Sequence, residues 1–315
     1  MSRAAVARAM SEAGARVDDL VEHHEGIING IRMHYVTAGP EDGDLVVLLH
    51  GFPEFWYSWR YQIPALAEAG YRVVAPDLRG YNRTEKPVGV DNYATRHLVG
   101  DVVGLIRHCG EESAKVVSHD WGGAIAWAMG IVRPDVIDQL VVMNAPHPAA
   151  FAREFDLSQL KKSWYILFFQ VPWLPEQVLE AGDFRAIDAA FGGMTDPDAF
   201  TAADVERYKD AFRQPGTPRA AINYYRAYVR SIAGPMAKST LPGLRRFFDP
   251  PGDEEIPVET LVLWGEQDRA LGVGVSEGLE EWIPDVRVER FPEASHWVQM
   301  DAHEAVTEEL LAFLD

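Results

Sequence analysis

The sequence predicts an α/β fold, a mostly parallel sheet with helices on both faces, interrupted by an inserted helical cap. Three observations predict it. Short β-rich runs alternate with helix-length runs through the first half of the chain. One of those runs, Leu45–Leu49, is apolar at every position. The alternation stops near Ala145, gives way to aromatic, helix-forming residues punctuated by proline, and resumes near Ile256. A strand with both faces apolar must be covered on both sides, as in a parallel sheet packed between helices.

Taken in order, residues 1–24 read as an N-terminal arm. Arg3, Arg8 and Arg16 lie among alanines there, without the continuous apolar core of a secretory signal, so a surface helix or frayed arm is expected rather than a transit peptide. Strands are predicted over 31–36, 45–49 and 71–75. Between the second and third, residues 59–69 closed by Gly70 have the length and terminal glycine of a crossover helix. The alternation continues as helix 93–109, strand 115–118, helix 122–132 and strand 139–143. From 146 to 256 aromatic residues such as Trp164, Tyr165, Phe168, Phe169, Trp173 and Tyr224 dominate, and prolines 172, 175, 197, 215 and 218 divide the stretch into several helices. Strands then return at 259–264 and 286–291, and 302–314 closes the chain as an amphipathic helix. The core is therefore 25–145 with 257–315, and the cap is 146–256.

Composition narrows the classes of function. The 315 residues carry 29 Lys+Arg against 48 Asp+Glu, a formal charge of −19, and no basic cluster exceeds a pair. Phosphate-backbone binding rests on basic patches that release counterions, so nucleic acid is excluded, and an anionic membrane would repel such a surface. No run approaches the ~20 apolar residues needed to span a bilayer. A chain of this length buries about three quarters of its unfolded surface and needs no staple of disulfide or metal. Cys109 is the single cysteine, which favours a reducing compartment and a cytoplasmic location. Six lysines against 23 arginines make the surface acid-rich and Lys-poor. That admits two readings: adaptation to high salt, or a GC-rich genome that writes Arg for Lys.

In open α/β sheets ligands bind at the carboxyl ends of the strands, so those turns carry the chemistry. The strand at 115–117 runs into Ser118-His119-Asp120-Trp121-Gly122-Gly123 and then a helix. Small-x-nucleophile-x-Gly is the spacing of a nucleophile elbow, with Asp120 in the middle position and Ser118 where a first Gly usually stands. A carboxylate is ionised at neutral pH and attacks without a general base, but the resulting ester needs one for hydrolysis. His296, in the loop after the last strand, is placed to be that base. Asp268, after the preceding strand, is placed to orient it, with Glu266 as its rival. Nucleophile, acid, base is the chain order of the α/β-hydrolase triad. The position after the central strand, where such folds sometimes put the acid, holds the uncharged Asn144. The turn His50-Gly51-Phe52-Pro53-Glu54 follows the buried strand; Phe52-Pro53 is expected to be cis, and the amides of Phe52 and Trp121 are expected to form an oxyanion hole.

These residues carry a family resemblance. His50-Gly51-Phe52-Pro53-Glu54-Phe55-Trp56, the run Gly70 to Tyr81, Ser118-His119-Asp120-Trp121-Gly122-Gly123 and His296-Trp297-Val298 closely resemble the α/β-hydrolase-fold epoxide hydrolases of bacteria and plants and the hydrolase domain of the mammalian soluble enzyme. The resemblance spans roughly 25–315. It implies hydrolysis of an epoxide to a vicinal diol without metal or organic cofactor, with two cap tyrosines protonating the epoxide oxygen. The matching positions are Tyr165 and Tyr225, the latter with Tyr224 and Tyr228 as neighbours that could take its place. Asn82 stands where the family usually has Gly, and Asn tolerates left-handed backbone. Trp164, Phe168 and Trp297 are expected to line a pocket for a small hydrophobic epoxide, with the protein a monomer or homodimer and no membrane or nucleic-acid partner. Two other readings share the motifs. A haloalkane dehalogenase would use the same triad with Trp121 and either Trp164 or Trp173 as halide donors; a non-catalytic relative would only bind an apolar ligand.

Overall fold

Valine, leucine and isoleucine fill the inner strands, and in the computed structural model these build an eight-stranded sheet; residues 17–195, 200–236 and 255–315 are described. The strands are β1 (Glu22–Ile28), β2 (Ile31–Ala38), β3 (Leu45–Leu49), β4 (Arg72–Pro76), β5 (Ala114–His119), β6 (Ile137–Met143), β7 (Thr260–Gly265) and β8 (Val286–Phe291). Their spatial order is β1-β2-β4-β3-β5-β6-β7-β8. The first two pairings are antiparallel and the remaining five parallel. Every residue of β3 and β7 is buried, as two-sided coverage by helices requires. The edge strand β8 is half-exposed and carries Arg287, Glu289 and Arg290, charges that discourage edge-to-edge pairing.

The core helices are α1 (Val17–Leu20), α2 (Gln62–Glu68), α3 (Thr95–His108), α4 (Trp121–Val132), α11 (Val298–Asp301) and α12 (His303–Leu314). Between β6 and β7 come α5 (Pro148–Arg153), α6 (Leu157–Lys162), α7 (Trp164–Phe168), α8 (Leu174–Phe191), α9 (Ala202–Arg213) and α10 (Thr217–Met236). Helix α8 is kinked where residues 181–184 leave helical backbone. Polar contacts tie α9 to the core: Tyr57 donates to Asp204 at 2.7 Å, Ser58 and Tyr208 share a hydrogen bond at 3.0 Å, and Arg207 pairs with Asp18.

Regular structure is present before residue 25, where the core was expected to start. Residues 1–24 read as an arm, yet Val17 is 1% exposed and β1 starts at Glu22. This strand is polar because it lies at the sheet edge, and it pairs with β2 through Asn29-Gly30, both at positive φ, so that Ile28 faces Ile31. Arg3, Arg8 and Arg16, and residues 196–199 and 237–254 of the expected cap, lie outside the described residues.

β3 is flanked by β4 on one side and β5 on the other, so the chain leaves the centre in opposite directions after these strands. The crevice at their carboxyl ends is the topological switch point, where open α/β sheets bind ligands.

Candidate active site

Asp120 sits at that crevice, between β5 and α4, with φ 49° and ψ −116°. An L-residue held there is strained by about 1–3 kcal/mol, and the neighbouring glycines make the conformation possible. A Cβ on Gly122 would stand 2.2 Å from the Leu49 carbonyl oxygen, and one on Gly51 would stand 2.4 Å from Asp120 Cβ. The elbow and the Gly51 turn thus close on each other with no room for a side chain. Phe52-Pro53 is cis, and the Phe52 amide donates to Asp120 Oδ1 at 2.7 Å. Oδ1 is held, which leaves Oδ2 as the oxygen open to react.

His296 faces that oxygen, with Nε2 3.6 Å from Asp120 Oδ2, a distance for an ion pair rather than a hydrogen bond. Its other nitrogen, Nδ1, lies 2.7 Å from Asp268 Oδ2. Asp268 is fixed in turn: Ala270 and Leu271 amides donate to Oδ1 at 2.7 and 2.9 Å, and Asn144 Nδ2 donates to Oδ2 at 2.8 Å. Glu266, the rival acid, is exposed, whereas Asp268 is buried. Burial opposes the charge on His296, but Asp268 and then Asp120 outweigh it and raise the imidazole well above its usual range. Burial likewise works against both carboxylates; His296 foremost, with the Phe52 amide at Asp120 and Asn144 at Asp268, holds each below its usual range. Each of the three groups therefore favours the charged form of its neighbour.

The structure adds a buried support that sequence reasoning did not assign. His119, beside Asp120 in the elbow, places Nε2 2.9 Å from the His296 carbonyl oxygen and Nδ1 2.7 Å from Glu54 Oε2. Glu54 also accepts from the Gly51 amide at 2.7 Å and from Gln299 at 3.0 Å. Burial would raise the Glu54 carboxyl, but His119 outweighs it and holds the group below its usual range. One buried carboxylate therefore braces the Gly51 turn, the elbow histidine and the helix after His296. Glu54 and His119 both lie inside the quoted motifs, which was the available signal.

Above the crevice, the Tyr165 and Tyr225 rings stand 5.8 Å apart. The Tyr165 hydroxyl is raised by burial, then by Asp120 and Asp268; Tyr225 is raised by burial, then by Asp120 and Tyr165. Tyr225 also meets Trp121 at 4.9 Å and Phe52 at 5.6 Å. Tyr224 turns away and donates to the Arg79 carbonyl at 2.7 Å, which separates it from its neighbour. Trp297 is buried against His296 at 5.0 Å, and Phe168 is half-buried beside Phe169. Trp164 departs from expectation. It is 62% exposed with its ring against Phe168, because successive helical residues point about 100° apart and Tyr165 takes the inward direction. Asn82 adopts φ 40° as anticipated and donates to Asp77 at 2.9 Å. Among the described residues no group of three or more His, Cys, Asp or Glu could hold a metal ion, and no helix is long and apolar enough to cross a membrane.

The fold agrees with comparison to known proteins. The model of the alpha/beta hydrolase fold matches residues 44–303. The chain belongs to the α/β-hydrolase-fold family. It is 41% identical over 288 residues to the AB hydrolase superfamily protein YfhM of Bacillus subtilis, covering 91% of this chain and 95% of that protein. It is 37% identical over 295 residues to human epoxide hydrolase 4, covering 91% of this chain and 76% of that protein. Among solved structures, an epoxide hydrolase of Bacillus megaterium in complex with an inhibitor superposes with a TM-score of 0.81 at 32% identity, covering 92% of this chain and 99% of that one.

Proposed function

We propose that this protein is an epoxide hydrolase that opens a small hydrophobic epoxide through an ester on Asp120 and releases a vicinal diol. The observation that carries the reading is the pair of cap phenols, Tyr165 and Tyr225, with rings 5.8 Å apart and both hydroxyls acted on by the Asp120 carboxylate. Asp120 Oδ2 attacks an epoxide carbon, the ring C–O bond breaks, and the developing alkoxide takes a proton from a tyrosine. Two buried phenols are reasonable general acids for a group that otherwise leaves badly.

Ester formation cancels the charge on Asp120. His296 then keeps only the pull of Asp268, its pKa falls, and it gives up its proton as the tyrosinate left by ring opening regains one, so that the neutral imidazole becomes able to take a proton from water. Water attacks Cγ of Asp120, and the oxyanion forms on Oδ1, already in contact with the Phe52 amide at 2.7 Å, with the Trp121 amide as the second donor in this scheme. Collapse of that intermediate breaks the Cγ–Oδ2 bond as the departing diol oxygen takes the proton held by His296, and the carboxyl proton brought by water then passes to His296, which frees the diol and restores the carboxylate. The base is thus idle until the nucleophile has reacted.

The haloalkane dehalogenase reading loses support from the indoles it needs: Trp164 is 62% and Trp173 71% exposed, which leaves Trp121 without an enclosed second donor. A panel of epoxides and haloalkanes assayed together for diol and halide tests the proposal. Diol from styrene oxide with no halide from any haloalkane is expected; halide release without diol would reverse the assignment.

A further inference from the structure

The cap helix leading to Tyr165 and the loop carrying Asp268 meet at one buried side chain. Gln159, in α6, is 4% exposed. Its amide nitrogen donates to the Ala270 carbonyl at 2.9 Å and to Ser163 Oγ at 2.9 Å, and its amide oxygen accepts from the Gly272 amide at 3.1 Å. Both amide protons are therefore used. The loop after Asp268 is held from two sides. The Ala270 and Leu271 amides turn inward to Asp268, while the Ala270 carbonyl and Gly272 amide turn outward to Gln159. Lys162, on the same helix, adds a contact at 3.4 Å to the Leu271 carbonyl. On the other side of Gln159, Ser163 is the residue from which α7 starts, two positions before Tyr165.

We infer that Gln159 is a positioning residue that sets the ring-opening acid Tyr165 and the water-activating pair Asp268–His296 in one frame; this rests on the roles proposed above. Helix α6 could pack on the loop with an apolar side chain if adhesion were all that was required. A buried amide with three directed bonds fixes position on both sides instead. A shift of α6 then displaces Tyr165 from the epoxide oxygen and slackens the loop whose amides orient Asp268. Small displacements of this kind reduce rates by large factors, because both steps depend on alignment.

The test is single-turnover kinetics with styrene oxide on the full chain, following ester formation and ester decay separately, for Gln159→Met, Ser163→Ala and the parent. Gln159→Met keeps the volume and removes the directed bonds. We expect it to slow both steps by about tenfold or more and to move the pH midpoint of ester decay downward, since His296 loses part of the hold of Asp268. Ser163→Ala cuts only the link to α7 and is expected to slow ester formation while leaving ester decay unchanged. A folded Gln159→Met with both rate constants within about twofold of the parent and an unmoved pH midpoint, as a merely structural role requires, overturns the inference. Should Gln159→Met not fold, Ser163→Ala decides: equal slowing of both steps, or of neither, overturns it. A parent that forms no ester on Asp120 removes the functional reading itself, whereas a parent that forms the ester alongside unaffected variants removes only the role of Gln159.

Discussion

His296 stands between two carboxylates, 2.7 Å from Asp268 and 3.6 Å from Asp120, and the proposed chemistry turns on that placement. Asp268→Asn removes the larger of the two forces that raise the imidazole. Ester hydrolysis is expected to slow by about 10² or more while ester formation persists, so the ester should accumulate in stopped-flow traces. The three residues were legible in the sequence because each lies where a strand of an open sheet ends and because their order along the chain is itself a signature. Glu54 and His119 were visible as letters of the same motifs, but nothing in a one-dimensional pattern says that two side chains 65 positions apart turn inward and pair at 2.7 Å. Asn144 was noted only as an uncharged residue at an alternative acid position, whereas its amide in fact donates to Asp268. Glu54→Gln removes the buried acceptor shared by the Gly51 amide and His119, a change that costs about 1–3 kcal/mol and should appear as a lowered urea midpoint.

Elements were read well where the pattern was apolar and poorly where it was polar. β3 and β8 have the bounds expected of them, because buried or alternating runs bounded by turns define their own ends. β1 escaped because Glu22, His23, His24 and Glu25 are polar residues at the sheet edge, although the Asn29-Gly30 turn that follows was a hairpin signal. The two turns also differ in how they use glycine. At Gly30 an added Cβ meets nothing within 4 Å, so Gly30→Ala is expected to cost only the left-handed strain, about 1–2 kcal/mol by chemical denaturation, with activity retained. At Gly122 the same atom would lie 2.2 Å from a main-chain oxygen, and Gly122→Ala is expected to give no soluble, active protein. The cap was recognisable as a helical insertion, but which side of a five-residue helix such as α7 turns inward depends on its neighbours, and that is why Trp164, expected in the pocket, is exposed.

For the whole molecule, charge and pH set the working conditions. A neutral epoxide gains nothing from the field of a protein carrying −19, so kcat/KM is expected to be nearly flat as ionic strength rises; a steep salt dependence would point to a charged substrate. Acid stability is governed in part by His147, which is buried between Trp127 and Trp282 and whose nitrogens have no hydrogen-bond partner among the described residues. Burial lowers its pKa from 6.5 to about 4. Below pH 6.5 the unfolded chain takes up a proton that the folded chain refuses, so stability falls as the pH drops from 6.5 toward 4, by about 3 kcal/mol at most. His147→Phe should remove that part of the slope in denaturation curves taken across this range.

The central claim, that Asp120 carries a covalent ester which His296 then hydrolyses, is tested most directly by intact-protein mass spectrometry of His296→Gln mixed with styrene oxide. The account predicts an added mass equal to one substrate molecule, mapping to the peptide that contains Asp120 and absent in an additional Asp120→Ala variant. No adduct on folded His296→Gln, or multiple turnover retained by Asp120→Ala alone, would contradict it.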